Sequence, residues 1–229
     1  MDLSFIGTMF LRILGGLPLT LNLWGLSLLG GAILALGLNL LRTTRVGDKV
    51  ASAYVFVFRG TPLLIQIFMI YFGLAGFGFI RHSVLWPFLR EPYWCGLLAL
   101  VLNDAAYTSE ILRGGLRAVP RGAVEAGRVS GMSRFTILRR ITLPLAIRQA
   151  LPAYSSEVIS MLKATALVST ITLMDMTGIA RAAISETWRA VEILLSAAAI
   201  YLALSLIVTQ LSVWIERRLS PWQFQRTNR

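Results

Sequence analysis

Residues Arg121 to Arg148 read R-G-A-V-E-A-G-R-V-S-G-M-S-R-F-T-I-L-R-R-I-T-L-P-L-A-I-R. Six arginines (Arg121, Arg128, Arg134, Arg139, Arg140, Arg148) accompany one acid, Glu125, in a chain that is otherwise mostly apolar. So much positive charge enters a hydrocarbon core only at a large free-energy cost, and basic residues concentrate on the cytoplasmic side of membranes. The spacing predicts a helix from about Ala123 to Val129, a turn at Ser130-Gly131 and a second helix N-capped by Ser133. Pro144 is expected to break that second helix just before the next membrane segment. Helix, glycine turn and helix would form a rigid knob against which a soluble partner can push. The alternative is a basic loop that only sets topology.

Outward from this island the composition is that of a membrane protein. Of 229 residues, 56% are hydrophobic and 14% charged, where a soluble domain is nearer a quarter charged. The whole chain, 1–229, reads as a single all-α domain, a polytopic helical bundle. A net charge of +11 would suggest nucleic acid in a soluble protein. Here the arginines cluster between oily segments, which argues for lipid and protein surfaces and no nucleic acid. Cys95 is the only cysteine and His82 the only histidine, so neither a disulfide nor a metal site is expected. The N-terminus does not resemble a cleaved signal, because Asp2 comes first and the charge-free run Ile13–Leu41 is too long.

About five spans follow from hydropathy and from buried polar residues. The first is Leu17–Leu41, where Gly25, Gly30, Gly31 and Gly37 suggest close helix packing. The second is Ala51–Gly76, containing Arg59-Gly60-Thr61-Pro62 and Gln66, with Pro62 expected to kink it. Phe77–Pro92 is then an outer loop. The third, Tyr93–Leu112, is interrupted by Asn103, Asp104 and Glu110. Asn103, Tyr107 and Glu110 share one helix face, and Asp104 sits on the neighbouring face with Thr108. Glu110 is expected to be structural, neutralised by Arg113 or Arg117. The fourth, Ala150–Leu173, holds Glu157 and Lys163, which are roughly 120° apart around a helix and so are not a simple pair. Glu157 is left to face a cavity and bind a cation, to pair with an arginine of another helix, or to be kept neutral by burial. The fifth is Ile193–Ile215. With the N-terminus outside, 15 of the 22 basic residues are cytoplasmic: three in the 42–49 loop, eight from Arg113 to Arg148, and four after Ile215. Five are outside, so the count favours N-out, C-in.

The dipeptide Gly-Lys does not occur, so no P-loop is present and any ATP chemistry must come from another chain. A membrane-embedded enzyme using Asp104, Glu110 and Glu157 as acid–base groups is the reading from another class. It lacks a nucleophile–base pair or a metal cluster.

Glu125-Ala126-Gly127, Gly131 and then Ile141-Thr142-Leu143-Pro144 resemble the EAA loop of ABC-importer permeases, with Gly127 where a second alanine usually stands. F-R-G-T-P-L-x-x-Q from Phe58, L-N-D-A-A-Y-T-S-E-I from Leu102 and L-P-A-Y-S-S-E-V-I from Leu151 resemble the polar-amino-acid branch, nearest its histidine/lysine/arginine/ornithine and opine importers. The resemblance covers roughly Leu17 to Arg218. It implies the MetI-like permease fold with a cytoplasmic coupling helix, about 121–144. Glu125, Ala126, Gly127, Arg128, Gly131 and Pro144 would then engage a separate ATPase. It implies a substrate pathway lined by Gln66, Asn103, Tyr107, Glu157 and Lys163, for basic amino acids or opines, with neutral or acidic amino acids as the alternative. The implied partners are a second permease subunit (sister or self), an ATP-binding subunit dimer, a periplasmic substrate-binding protein and membrane lipid. No cofactor is implied, since ATP would be bound by the partner. The implied location is the bacterial inner membrane. One departure is Ala164, where relatives often carry an acid after the residue matching Lys163.

Overall fold

The computed structural model describes residues 3–219; Asp2 and the tail arginines Arg226 and Arg229 lie outside the described residues. The helices, in chain order, are α1 (Leu3–Leu14), α2 (Leu17–Leu41), α3 (Arg45–Gly60), α4 (Leu63–Phe68), α5 (Pro92–Arg117), α6 (Arg121–Val129), α7 (Arg134–Ile137), α8 (Leu143–Ala164), α9 (Met176–Thr187) and α10 (Ala190–Leu219). A π-helical turn at Met69–Gly73 extends α4, another at Leu138–Thr142 joins α7 to α8, and a 3-10 segment at Thr165–Ile171 extends α8. Two single helical turns, Gly78–Arg81 and Trp86–Leu89, occupy the loop before α5.

α5 is the central post. Its most apolar stretch is 56% buried, against 28% for α2 and for α10, and α2, α3, α4 and α8 all pack on it. Small residues make this possible, because without a hydrophobic force between helices in lipid, close backbone approach supplies the attraction. Gly31 of α2 lies against Asp104, Gly30 against Val101, and Gly115 of α5 against the Ala146 carbonyl and Ala150 of α8. Of the four α2 glycines expected to pack, Gly25 and Gly37 face open space. Outward faces of α2 and α10 remain oily, with Leu29, Ile33, Leu40, Leu202 and Leu206 all exposed. Water would not tolerate such faces, whereas lipid or a sister subunit would.

α2, α5 and α10 are long and apolar enough to cross a membrane. The other two expected spans are bent pairs: Arg45–Gly60 with Leu63–Gly76 turns through 104°, and Arg134–Ile171 with Met176–Thr187 through 47°. The second expected span is therefore not one kinked helix. Thr61 and Pro62 are both extended (ψ 144° and 133°), and two extended residues in succession turn the axis far more than a proline kink does. The fourth begins at Leu143 rather than Ala150, runs through Pro152, and stops where Thr172 turns left-handed at φ 70°.

Pro144 does not break the helix before it. The wider π turn at Leu138–Thr142 leads directly into α8, and Pro144 sits in the first turn of that helix. The π turn, closed by Leu143 N–H on Leu138 O, accommodates a proline that has no N–H to donate. Besides α6 and α7 of the basic island, two helices, α1 and α9, lie outside the expected spans. α1 carries Met9 and Ile13 into a cluster with Met176, Ala180, Ala183, Ile193, Ala197 and Ile200 of α9 and α10. Its Arg12 forms a two-pronged ion pair with Glu186 of α9 at 2.6 and 2.8 Å.

Candidate functional site

The break between α3 and α4 leaves the last carbonyls of α3 without intrahelical partners. In a membrane such groups must be satisfied by protein or by water in a cavity that they line. Two side-chain amides do so. Gln66 Nε2 donates to Phe58 O (2.9 Å), Thr61 Oγ1 (2.8 Å) and Thr61 O (3.1 Å). Asn103 Nδ2, reaching from α5, donates to Phe58 O (3.2 Å) and Gln66 Oε1 (3.0 Å). Both side chains are buried. One turn earlier on α3, the Tyr54 hydroxyl donates to Leu102 O at 2.6 Å. Gln66 and Asn103 are thus brought together, and their amide nitrogens hold the break against α5.

Next to the break is a cavity of about 380 Å³ whose lining includes Arg59, Tyr107, Glu110, Gln149 and Ala153. The Arg59 guanidinium lies over the Tyr107 ring, 4.9 Å from its centroid. Glu157, one helical turn beyond Ala153, is half-buried and lies in the field of Arg59. Asp104 is fully buried behind it. Its Oδ2 accepts from the Thr108 hydroxyl at 3.2 Å while its Oδ1 has no partner. Lys163 is exposed, and among the described residues no ion pair joins it to Glu157. The five expected pathway residues therefore fall into three places: Gln66 with Asn103 at the break, Tyr107 and Glu157 around the Arg59 charge, and Lys163 apart. Sequence reasoning marked Arg59 as costly in an apolar span but did not place it in the site.

Glu110 is structural, as expected. Arg42 Nη2 donates to its Oε1 at 2.7 Å and Arg113 Nε to its Oε2 at 3.0 Å, with Arg113 Nη2 on the same oxygen. Arg113 is the expected partner and Arg42 an additional one. The pair pins the end of α2 to the end of α5, so the 42–48 turn and the basic island lie at one end of the bundle.

At that end α6 and α7 form the expected knob. Three backbone bonds close α6: Ser130 N–H to Ala126 O, Gly131 N–H to Arg128 O and Met132 N–H to Gly127 O. The last two make a Schellman motif around Gly131, whose φ of 74° suits glycine. Ser133 Oγ accepts from Thr136 N–H at 3.2 Å and caps α7. Gly127 is buried, and a methyl group there would stand 2.8 Å from the tip of Ile141 and 3.3 Å from Ile137. Glu125 and Arg128 line one recess of about 270 Å³ beside Arg121 and Thr142. Val129 and Phe135 are 90% and 69% exposed. Exposed apolar tips set among arginines are a suitable face for a protein partner.

This chain is similar to several characterised proteins. The family described as binding-protein-dependent transport system inner membrane component matches residues 5–221. The octopine transport system permease protein of Rhizobium radiobacter is 51% identical over 230 residues, covering 100% of this chain and 93% of the relative. The histidine/lysine/arginine/ornithine transport system permease protein of Escherichia coli (strain K12) is 39% identical over 208 residues, covering 89% and 87%. A chain in the crystal structure of an amino acid ABC transporter with histidines superposes with a TM-score of 0.84 at 35% identity, over 95% of this chain and 99% of that one.

Proposed function

Since the chain belongs to the family of binding-protein-dependent transport system inner membrane components, we propose that it is the permease subunit through which an ATP-driven importer passes basic amino acids or opines. Its relatives named for octopine and for histidine, lysine, arginine and ornithine support that substrate class. The observation that carries the reading is Glu157, a half-buried carboxylate on α8 one helical turn beyond Ala153, which lines the recess beside the break. A carboxylate held there without an ion pair suits a ligand guanidinium or ammonium.

In this reading α6 and α7 dock on a separate ATP-binding subunit dimer, which binds and hydrolyses ATP. A periplasmic substrate-binding protein delivers the ligand at the opposite end, and a second permease subunit, sister or self, covers the oily faces. The N-terminus is periplasmic and the C-terminus cytoplasmic. Closure of the ATPase dimer pulls on Glu125 to Arg140, and the continuous path from α7 through the π turn into α8 carries that pull to Glu157. Access to the cavity then alternates between the two sides.

The test is Glu157→Gln in the assembled importer. Uptake of arginine or lysine should fall by roughly tenfold or more, as for loss of a charge-assisted contact, while ATP hydrolysis stimulated by the loaded binding protein falls less. Equal loss of both would remove Glu157 from the ligand's path. The ligand preference of the cognate binding protein, measured directly, distinguishes basic amino acids and opines from neutral or acidic ones.

A further inference from the structure

Two opposite charges sit near the recess beside the break without meeting: Arg59 lines it, and Glu157 lies one helical turn beyond the lining residue Ala153 on α8. Arg59 rests on the Tyr107 ring at the end of α3, and among the described residues it makes no ion pair. Glu157 lies in its field from α8 and also has no ion pair among those residues. Elsewhere the chain pairs its charges directly, as with Arg42 and Glu110 at 2.7 Å and Arg12 and Glu186 at 2.6 Å. Arg59 is exposed at the end of α3, so its guanidinium is open to a carboxylate that enters the recess. The Tyr107 ring holds the guanidinium at the recess by a cation–π contact. A planar guanidinium matches a carboxylate in a two-pronged pair that lysine cannot reproduce. The cavity, about 380 Å³, lies within the usual size of small-molecule sites, roughly 300–1,000 Å³.

We propose that Arg59 is the carboxylate-recognising group of the pathway, held over the Tyr107 ring so that it grips the carboxylate of a ligand whose cationic group faces Glu157. This rests on the amino-acid reading above and narrows it: the ligand carries both an anionic and a cationic end. A dication of similar length meets repulsion from Arg59 at one end of the site. Both charges stay apart because the ligand, and not a direct ion pair, joins them.

The experiment is direct binding of radiolabelled arginine to the purified permease–ATPase complex in lipid nanodiscs, without binding protein. The competitors are unlabelled arginine, agmatine (arginine without its carboxylate) and arginine methyl ester. In the parent complex both analogues should compete about tenfold more weakly than arginine, or worse, for want of a charge-assisted pair. In Arg59→Gln, arginine should weaken by about tenfold while agmatine does not, closing the gap to within about threefold. A parent complex that accepts the analogues as well as arginine overturns the proposal. So does an Arg59→Gln complex that keeps the tenfold gap, which would make Arg59 a structural partner of Tyr107 alone. Should Arg59→Gln fail to assemble, the analogue comparison on the parent decides. A parent complex that binds no basic amino acid defeats the amino-acid reading itself, whereas arginine binding without carboxylate preference defeats only the role of Arg59.

Discussion

The chain breaks a helix twice in similar ways and closes the two ends differently. At Thr61-Pro62, α3 stops at exposed residues, but its orphan carbonyls are taken by the buried side chains of Gln66 and Asn103. At Ser130-Gly131, α6 stops at the surface, and its last carbonyls are taken by the chain's own next amides in a Schellman turn. Pro62 has no N–H, so the first break has fewer backbone donors to offer. Water completes whatever the outer turn leaves open, whereas Gln66 and Asn103 are buried, and a buried polar group left without a partner costs about 1–3 kcal/mol. Long-range side chains are therefore required at the first break and are dispensable at the second. The inner break is also tied to a distant helix, α5, and so can register movement of that helix. The outer turn is self-contained and can act as a rigid part.

This contrast predicts its largest effect at Gln66. Gln66→Leu preserves volume but removes all three bonds to Phe58 and Thr61 and takes the acceptor from Asn103. Orphaned buried groups cost about 1–3 kcal/mol each, so a destabilisation of about 2–4 kcal/mol is expected. Thermal unfolding of the complex in detergent measures it. A Gln66→Leu complex that melts with the parent would mean that water reaches the break and that the distinction between the two breaks is wrong.

At the outer turn the expected effect is smaller and of another kind. Gly131→Val places a β-branched residue at φ 74°, where the left-handed conformation costs about 1–2 kcal/mol. Because the turn is local, the cost should appear as poorer coupling, with substrate-stimulated ATP hydrolysis and uptake both reduced, while the bundle melts nearly as the parent. Gly131→Asn, which tolerates this conformation, should retain most of the coupling. A bundle that melts as low with Gly131→Val as with Gln66→Leu would show that the turn is not self-contained. Smaller again is Ser133→Ala, which removes the cap on Thr136 N–H and should cost about 1 kcal/mol, read as increased amide exchange across 134–137.

The difference between the breaks also explains what could be read from the sequence. The outer knob is local, and its helix, glycine turn and Ser133 cap all appear within a few residues of where the spacing put them. The inner break depends on Asn103 meeting Gln66, 37 residues away, and the join of α2 to α5 depends on Arg42 meeting Glu110, 68 residues away. Such partners leave no local signal beyond a polar residue in an oily run. That signal did mark Asn103, Tyr107 and Glu157, and it marked Arg59 as costly without saying what it touches. Pro144 was misread because a proline rule applied to an isolated helix ignores a π turn that shifts the proline into the first turn of α8. α1 escaped notice because Arg12 interrupts a short apolar run; the ion pair with Glu186, 174 residues away, is what completes it.

The smallest expected effect is at Gly127, where this chain departs from the alanine usual in the resembling loop. Gly127→Ala gains helix propensity, about 1 kcal/mol, within α6. Its methyl group would stand 2.8 Å from Ile141 Cδ1, too close without movement. The obstructing atom is the free end of a flexible side chain, so a rotamer change of about 0.5–1.5 kcal/mol relieves the contact. The two terms nearly cancel, and a net change within about 0.5 kcal/mol of zero is expected. The informative readout is therefore coupling rather than melting. Ile141 lies in the π turn that connects the knob to α8, so displacing it shifts the joint through which force passes. Stimulated ATP hydrolysis should stay near the parent value while uptake per ATP falls modestly, by about twofold. An unchanged ratio of uptake to hydrolysis would show that the joint absorbs the displacement, and that force reaches α8 by a route that does not involve the packing of Ile141 on α6.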